Sequence, residues 1–331
     1  MRIAGLEEHF VTAEVLEAWR GLDPRWCDDP SLRVASMERY ARPLAELDEP
    51  RVAAMDASGL DVQVLSLTPP GLQILERADA VALQRVTNDR LAEAVRSHPE
   101  RLQGFAALAT QSPDEAAAEL ERSVRTLGLN GAMLLARTRE NSLDQAVCWP
   151  IFEAAQALRA PIYLHPQTPP RSVRDSYYDV EDDMLSTALT LFGLGWHYDT
   201  GVQLLRLIVS GVFDQFPDLQ VIVGHWGEVV LFYLDRIQEI APFAKLDRPL
   251  VDYFRENVYF TPSGLYSERY LRWTIEVVGA ERVLFSTDYP FVPAPQDGVR
   301  GFLKDAALSG ADREGIASGN WDRLVSGIRR T

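Results

Sequence analysis

Eight short runs rich in Val, Ile, Leu and Phe recur along the chain, at residues 3–10, 62–68, 102–109, 131–136, 161–165, 220–225, 258–263 and 282–288. Each is continuously apolar over several positions, the pattern of a strand buried on both faces, as in a parallel sheet covered by helices. The stretches between them place apolar residues at helical spacing, predicting helices over 80–97, 113–127 (with Ser112 as N-cap), 145–158, 201–213, 229–240, 268–278 and 296–308. Eight strands alternating with helices predict an α/β fold, a (β/α)8 TIM barrel, with a doubly wound open sheet as the alternative. No glycine-rich phosphate loop follows the first run, which disfavours the open sheet. Two stretches, 19–50 (with Pro24, Trp26, Pro30 and Pro43) and 167–196 (with Pro169, Pro170, Tyr177 and Tyr178), exceed ordinary loop length after strands 1 and 5. In a barrel both lie on the C-terminal face, where they would serve as lids or subunit contacts. No repeat or linker divides the chain, so residues 1–331 read as one domain.

The strand ends carry the chemistry. The first run closes on Glu7-Glu8-His9-Phe10, and two-residue alternation puts Glu7 and His9 on one face and Glu8 on the other. The fifth run ends at His165 before a proline, the sixth at His225 between Gly224 and Trp226-Gly227-Glu228, and the eighth at Asp288. The chain has only five histidines, and three of them close apolar strands. A parallel barrel gathers all strand C-termini around one mouth, so Glu7, His9, His165 and Asp288 would meet there. Two imidazoles and two carboxylates suit one divalent ion, zinc first and manganese as the alternative. His225 and Glu228 remain beside them as a non-ligand pair in which the carboxylate would orient or tune the imidazole. His98 closes a helix at the opposite end of the barrel and reads as structural; His197 reads as a lid, substrate or structural residue.

Composition narrows the partners. With 48 acidic against 33 basic side chains the net charge is -15, which repels nucleic acid and anionic membrane surfaces. Two cysteines supply no disulfide framework, no apolar run reaches membrane-spanning length, and no signal pattern opens the chain, so a soluble cytoplasmic protein is expected. All but two of the basic residues are Arg, the exceptions being Lys245 and Lys304.

The motifs Leu6-Glu7-Glu8-His9-Phe10, Tyr163-Leu164-His165-Pro166, Ser210-Gly211-Val212-Phe213-Asp214, Gly224-His225-Trp226-Gly227-Glu228, Phe285-Ser286-Thr287-Asp288-Tyr289-Pro290-Phe291 and Gly319-Asn320 span nearly the whole chain. In them the chain resembles the amidohydrolase superfamily, within it the metal-dependent, oxygen-independent decarboxylases of γ-resorcylate, 2,3-dihydroxybenzoate and 5-carboxyvanillate, with aminocarboxymuconate-semialdehyde decarboxylase more distant. The resemblance implies Glu7, His9, His165 and Asp288 as metal ligands, Asp288, His225 and Glu228 as catalytic residues, and Arg236 as a substrate-binding residue. It implies release of carbon dioxide from an ortho-hydroxy aromatic acid without an organic cofactor, in a homodimer or homotetramer. The Glu-x-His start is that of the decarboxylase branch, where the superfamily's hydrolases commonly carry His-x-His. Binuclear members need a carboxylated lysine at a strand end; neither lysine here occupies one, which implies a single metal. The branch's asparagine shortly after Arg236 is replaced, with Ala241 near that place. A mononuclear hydrolase of an ester, lactone or amide is the alternative activity. Trp26, Tyr177, Tyr178, Trp196, Trp226, Tyr289 and Phe291, all near strand ends, are candidates for stacking on an aromatic ligand.

Overall fold

A computed structural model describes residues 1–23 and 25–331; Pro24, within the first long loop of the sequence reading, lies outside the described residues. The strands follow one another in space in the order in which they occur in the chain. Ala4–Phe10 pairs with Val62–Leu67, which pairs with Leu102–Gly104; then Ala106–Ala107, Ala132–Leu135, Ile162–His165, Val221–Val223 and Val258–Phe260 pair in turn, all parallel. A doubly wound sheet reverses its strand order at a switch point, and this sequential order has none.

The parallel ladders form two sheets and not one continuous ring, and Arg137–Thr138 pairs separately with Asn141–Ser142 as an antiparallel hairpin. The third run splits at Phe105, whose N–H still donates to Leu65 O at 2.8 Å while Ala106 N–H donates to Gly131 O at 2.8 Å. The eighth run forms no ladder. It is joined by single bridges, Phe260 to Val283 on one side and Glu8 to Tyr289 on the other. Side chains take over the missing ladder bonds: Ser263 N–H donates to Ser286 Oγ (2.8 Å), and Thr287 N–H donates to Glu8 Oε1 (2.9 Å). The interior is nevertheless filled as in a barrel. One buried cluster joins Ala4, Leu6, Val62, Val64, Phe105, Met133, Tyr163, Ile222 and Leu284, contributed by successive runs, with Trp321 closing it from the end of the chain.

The first strand contains the irregularity that matters most. Ala4 and Gly5 pair with Val62 and Gln63, but Glu8, His9 and Phe10 pair with Leu65, Ser66 and Leu67, so one extra residue sits between Gly5 and Glu8. Such a bulge shifts the alternation by one. Ala4 and Leu6 face the barrel interior below it; above it Glu7 and His9 face inward and Glu8 is turned to the outer side. There Glu8, wholly buried, takes Thr287 N–H, Thr287 Oγ (2.6 Å) and Gln63 Nε2 (3.2 Å), tying the first strand to the residue before Asp288.

The outer helices follow the predicted segments with local differences. Arg77–Ser97, Trp149–Leu158, Glu268–Val278 and Gly298–Asp305 form where the spacing places them. Ser112 sits at the N-cap of Pro113–Arg125, but its hydroxyl accepts from Arg77 Nη2 (2.9 Å) and makes no cap bond. The helix expected over 201–213 starts earlier, as Gly195–Val209, and breaks at Gly211 before Val212–Gln215. The helix expected over 229–240 is three short pieces, Leu231–Tyr233, Leu234–Ile237 and Gln238–Ile240. Both long loops are built largely of short helices, among them Pro30–Ala35, Glu38–Ala45 and Asp183–Ala188. Among the described residues no helix is long and apolar enough to cross a membrane.

Candidate active site

At the C-terminal mouth Glu7, His9, His165 and Asp288 each present one donor atom, all within 4.8 Å of one another. His9 Nε2 lies 3.3 Å from Asp288 Oδ1, and His165 Nε2 lies 3.1 Å from Glu7 Oε1. Glu7 and His9 are fully buried and His165 nearly so; Asp288, at 15% side-chain exposure, is the open edge of the group.

Each inner donor residue is aimed by a second residue. Glu7 Oε2 accepts from the hydroxyls of Tyr163 and Ser263, and Tyr163 is in turn 2.7 Å from Thr261 Oγ1. His165 Nδ1 donates to Pro166 O at 2.8 Å, which fixes the tautomer that leaves Nε2 a bare acceptor. His9 Nδ1 faces Ser66 Oγ at 3.3 Å. The atoms left over are Glu7 Oε1 and His9 Nε2, both buried and without a hydrogen-bond partner among the described residues. Buried polar atoms of this kind are costly unless something binds them, and these two face the same point as His165 Nε2 and Asp288 Oδ1. The donor set therefore fits a divalent cation.

Charge reinforces the arrangement. Burial drives the Glu7 carboxyl up, but the imidazoles of His225, His165 and His9 outweigh it and hold Glu7 well below the ordinary carboxylate range. Burial, with His165 alongside, lowers His9 to about 3, so its imidazole is neutral and able to ligate. Asp288 is pushed well above its ordinary value by burial and by the carboxylates of Glu7, Glu8 and Glu228.

His225 and Glu228 stand beside this group on an unusual turn. His225, Trp226, Gly227, Glu228 and Val229 all have positive φ, between 48° and 89°. This is a left-handed turn, at a cost of ~1–2 kcal/mol for each residue with a side chain. The helix expected from residue 229 does not begin here; tertiary bonds hold the left-handed turn instead. His225 N–H donates to Ser263 Oγ (2.9 Å), Trp226 N–H to Thr261 O (2.9 Å) and the Trp226 indole to Leu265 O (2.7 Å). The turn brings His225 Nδ1 to 2.7 Å from Glu228 Oε1 and leaves His225 Nε2 4.0 Å from Glu7 Oε1. Gly224 makes this approach possible: a Cβ there would lie 2.5 Å from Ser263 Oγ and 2.9 Å from Glu7 Oε2.

The remaining expectations divide. Arg236 does not reach the group within the chain; on the short helix Leu234–Ile237 it is exposed and 2.6 Å from Glu239. Among the aromatic candidates, Phe291 reaches the donor group, its ring 5.6 Å from that of His9. Trp226 is buried in the core, Tyr289 packs under Arg51, Trp26 lies under Arg139, and Tyr177 is exposed. His98 closes the helix Arg77–Ser97 and its carbonyl accepts from Arg101 and Leu102, a structural role. Lys245 and Lys304 are both exposed and far from strand ends, on or after outer helices. Sequence reasoning missed Tyr163, Thr261 and Ser263. Period-two alternation back from His165 and along the seventh strand could have found them, since each shares the inward face of its strand.

Residues 9–325 match the amidohydrolase family. The chain belongs to that family. This amidohydrolase is 38% identical over 335 residues to the gamma-resorcylate decarboxylase of Polaromonas sp. strain JS666, covering 96% of this chain and 97% of that one. Its fold matches the dihydroxybenzoic acid decarboxylase of Polaromonas sp. JS666, solved with manganese and the inhibitor 2-nitroresorcinol (TM-score 0.83, 36% identity, 98% and 97% of the two chains). It also matches the 5-carboxyvanillate decarboxylase of Novosphingobium aromaticivorans, solved with manganese and 4-hydroxy-3-methoxy-5-nitrobenzoic acid (TM-score 0.89, 30% identity, 98% and 96%).

Proposed function

We propose that this amidohydrolase is a metal-dependent, non-oxidative decarboxylase of an ortho-hydroxy aromatic carboxylic acid. The observation that carries the reading is the convergence of Glu7 Oε1 and His9 Nε2, buried and unpaired among the described residues, with His165 and Asp288, directly beside the His225–Glu228 pair. One divalent cation is the cofactor. Zinc and manganese both suit the donor set, and the manganese in the two solved relatives favours manganese. Held by Glu7, His9, His165 and Asp288, the cation would supply positive charge that stabilises the substrate's carboxylate and ionised hydroxyl.

Direct loss of carbon dioxide would leave an aryl carbanion, so the ring carbon must be protonated first. Asp288, at the open edge of the group, holds the proton that goes to that carbon. The ring carbon–carboxylate bond then breaks, carbon dioxide leaves, and its electron pair restores the aromatic ring. His225, oriented by Glu228, takes the proton of the ortho-hydroxyl, which pushes electron density onto the carbon to be protonated. Phe291 supplies an apolar ring beside His9.

Chelating the protein and then assaying a panel of hydroxybenzoates tests the reading. Carbon dioxide release should vanish on metal removal and return with Mn²⁺ or Zn²⁺. Full turnover by metal-free protein, or hydrolysis of esters without carbon dioxide release, would overturn it.

Arg236 belongs to a homo-oligomeric reading, a dimer or tetramer, in which it serves the site of a neighbouring copy. Phe192, Phe232, Tyr233 and Phe243 are all more than half exposed, and Arg236 rises from the same 231–244 segment as the last three. Arg236→Ala and Asp288→Asn should each be nearly inactive alone. Mixed oligomers of the two should regain activity, because one site then has both an intact Asp288 and a partner Arg236. No recovery on mixing would place Arg236 outside the reaction. The scarcity of cysteine supports a cytoplasmic enzyme.

A further inference from the structure

His197 lies outside the four-ligand group, in the Gly195-Trp196-His197-Tyr198-Asp199 stretch that the reaction scheme does not use. It is carried in the first turn of the helix Gly195–Val209, which presses closely on the left-handed turn: a Cβ on Gly201 would collide with the Glu228 carbonyl. The two oxygens of the fully buried Glu228 are divided between two imidazoles. Oε1 is 2.7 Å from His225 Nδ1, and Oε2 is 2.7 Å from His197 Nδ1. The two rings are 4.5 Å apart. The other nitrogen of His197, Nε2, is 3.1 Å from Phe192 O.

A carboxylate and a backbone carbonyl both only accept hydrogen bonds. Both nitrogens of His197 therefore have to donate, which requires a proton on each and a positive charge on the ring. We propose that His197 is a positioning residue of the catalytic pair, an imidazolium clamped between Glu228 and the Phe192 carbonyl that holds the Glu228 carboxylate on His225. This rests on the reading of His225 and Glu228 as the pair that serves the reaction. The consequence is geometric: with Oε2 fixed by His197, Oε1 can only face His225 Nδ1, and His225 presents Nε2 to the metal-ligand group.

The charges around His197 agree. Burial opposes its protonation, but the facing Glu228 carboxylate, its hydrogen bond and the Phe192 carbonyl outweigh burial and raise the ring above its ordinary 6.5, with Glu7 contributing from beyond His225. Of the other ionisable neighbours, Asp199 is engaged by Arg137 (2.9 Å) and His225 is the second imidazole on Glu228.

Two measurements test the proposal on the whole metal-loaded protein. In ¹⁵N-histidine NMR, five histidines can be assigned by single substitution, and His197 should show two protonated ring nitrogens at pH 7 and lose a proton only above the ordinary imidazole range. A neutral His197 at pH 7 overturns the proposal, whatever the substrate proves to be, so this arm does not depend on the reaction. In kinetics, His197→Leu should lower kcat by roughly 10–100-fold, with KM and metal content nearly unchanged. His197→Gln, which keeps an N–H for Glu228, should recover part of that loss. A cationic His197 whose Leu variant keeps the wild-type kcat, or loses only KM, overturns the positioning role.

Discussion

Asp288→Asn should abolish decarboxylation, lowering kcat by roughly 10⁴-fold, the upper end of what a positioned acid contributes, while the protein stays folded and soluble. The substitution removes the transferable proton together with the carboxylate's negative charge. Asn has nearly the same shape and still offers an oxygen toward His9 Nε2, 3.3 Å away in the parent. The backbone accepts it as well. Asp288 has φ of 59°, and Asn is among the side chains that tolerate this left-handed region best. The carbonyl bonds from Phe291 and Val292 to Asp288 O do not involve the side chain and persist. What is lost is a carboxyl that burial and three neighbouring carboxylates push toward its protonated form. Substrate depletion, carbon dioxide release and a circular dichroism melt on the same preparation check the prediction. A folded variant within tenfold of the parent kcat would remove Asp288 from the proton-donor role and with it the scheme.

The sequence was most informative at strand ends. Alternation within Glu7-Glu8-His9 and the terminal positions of His165 and Asp288 were enough to bring four donors to one mouth, because a parallel barrel leaves strand ends no other place to converge. The phase of that alternation was not legible. Ala4 and Leu6 share the inward face with Glu7 and His9 only because a bulge inserts one residue between Gly5 and Glu8, and in AGLEEH its mark is a single glycine, Gly5, where a Cβ would collide with Glu8 Oε1. The left-handed turn at His225–Glu228 was equally hidden. Local propensity favours a right-handed start for a segment containing Trp, Glu and Val, and the bonds that reverse it come from Thr261, Ser263 and Leu265, more than thirty residues away. Arg236 shows the converse. Its substrate-binding role is implied by the family resemblance alone, and the broken helices that replace the predicted one carry it to the surface. The ladder missing from the eighth run has the same origin, since Ser286 and Glu8 side chains accept the bonds that a regular neighbour's carbonyls would have taken.

The second large effect is expected at Glu7. Glu7→Ala should leave the protein without bound metal after desalting, and the loss in affinity should exceed 10²-fold, because removing a group that merely orients a ligand already costs about 10–100-fold. The reason lies in how the carboxylate is shared. Tyr163 and Ser263 hold Oε2, so Oε1 has no freedom to turn away, and it stands 3.1 Å from His165 Nε2 with no hydrogen-bond partner among the described residues. The alanine removes one of only two carboxylates from the donor set and leaves the hydroxyls of Tyr163 and Ser263 facing a void. Tyr163→Phe and Ser263→Ala remove one restraint each and keep the ligand, so both should bind metal about tenfold more weakly and not lose it. Elemental analysis gives the stoichiometry. Thermal unfolding with added Mn²⁺ gives the affinity: a ligand at a hundred times its Kd stabilises the folded state by about 2.7 kcal/mol, so the parent's Tm should climb with Mn²⁺ while that of Glu7→Ala stays flat. An alanine variant that retained one equivalent of metal would show that His9, His165 and Asp288 suffice, and Glu7 would then be an outer-sphere acid bound to Tyr163 and Ser263 for packing alone.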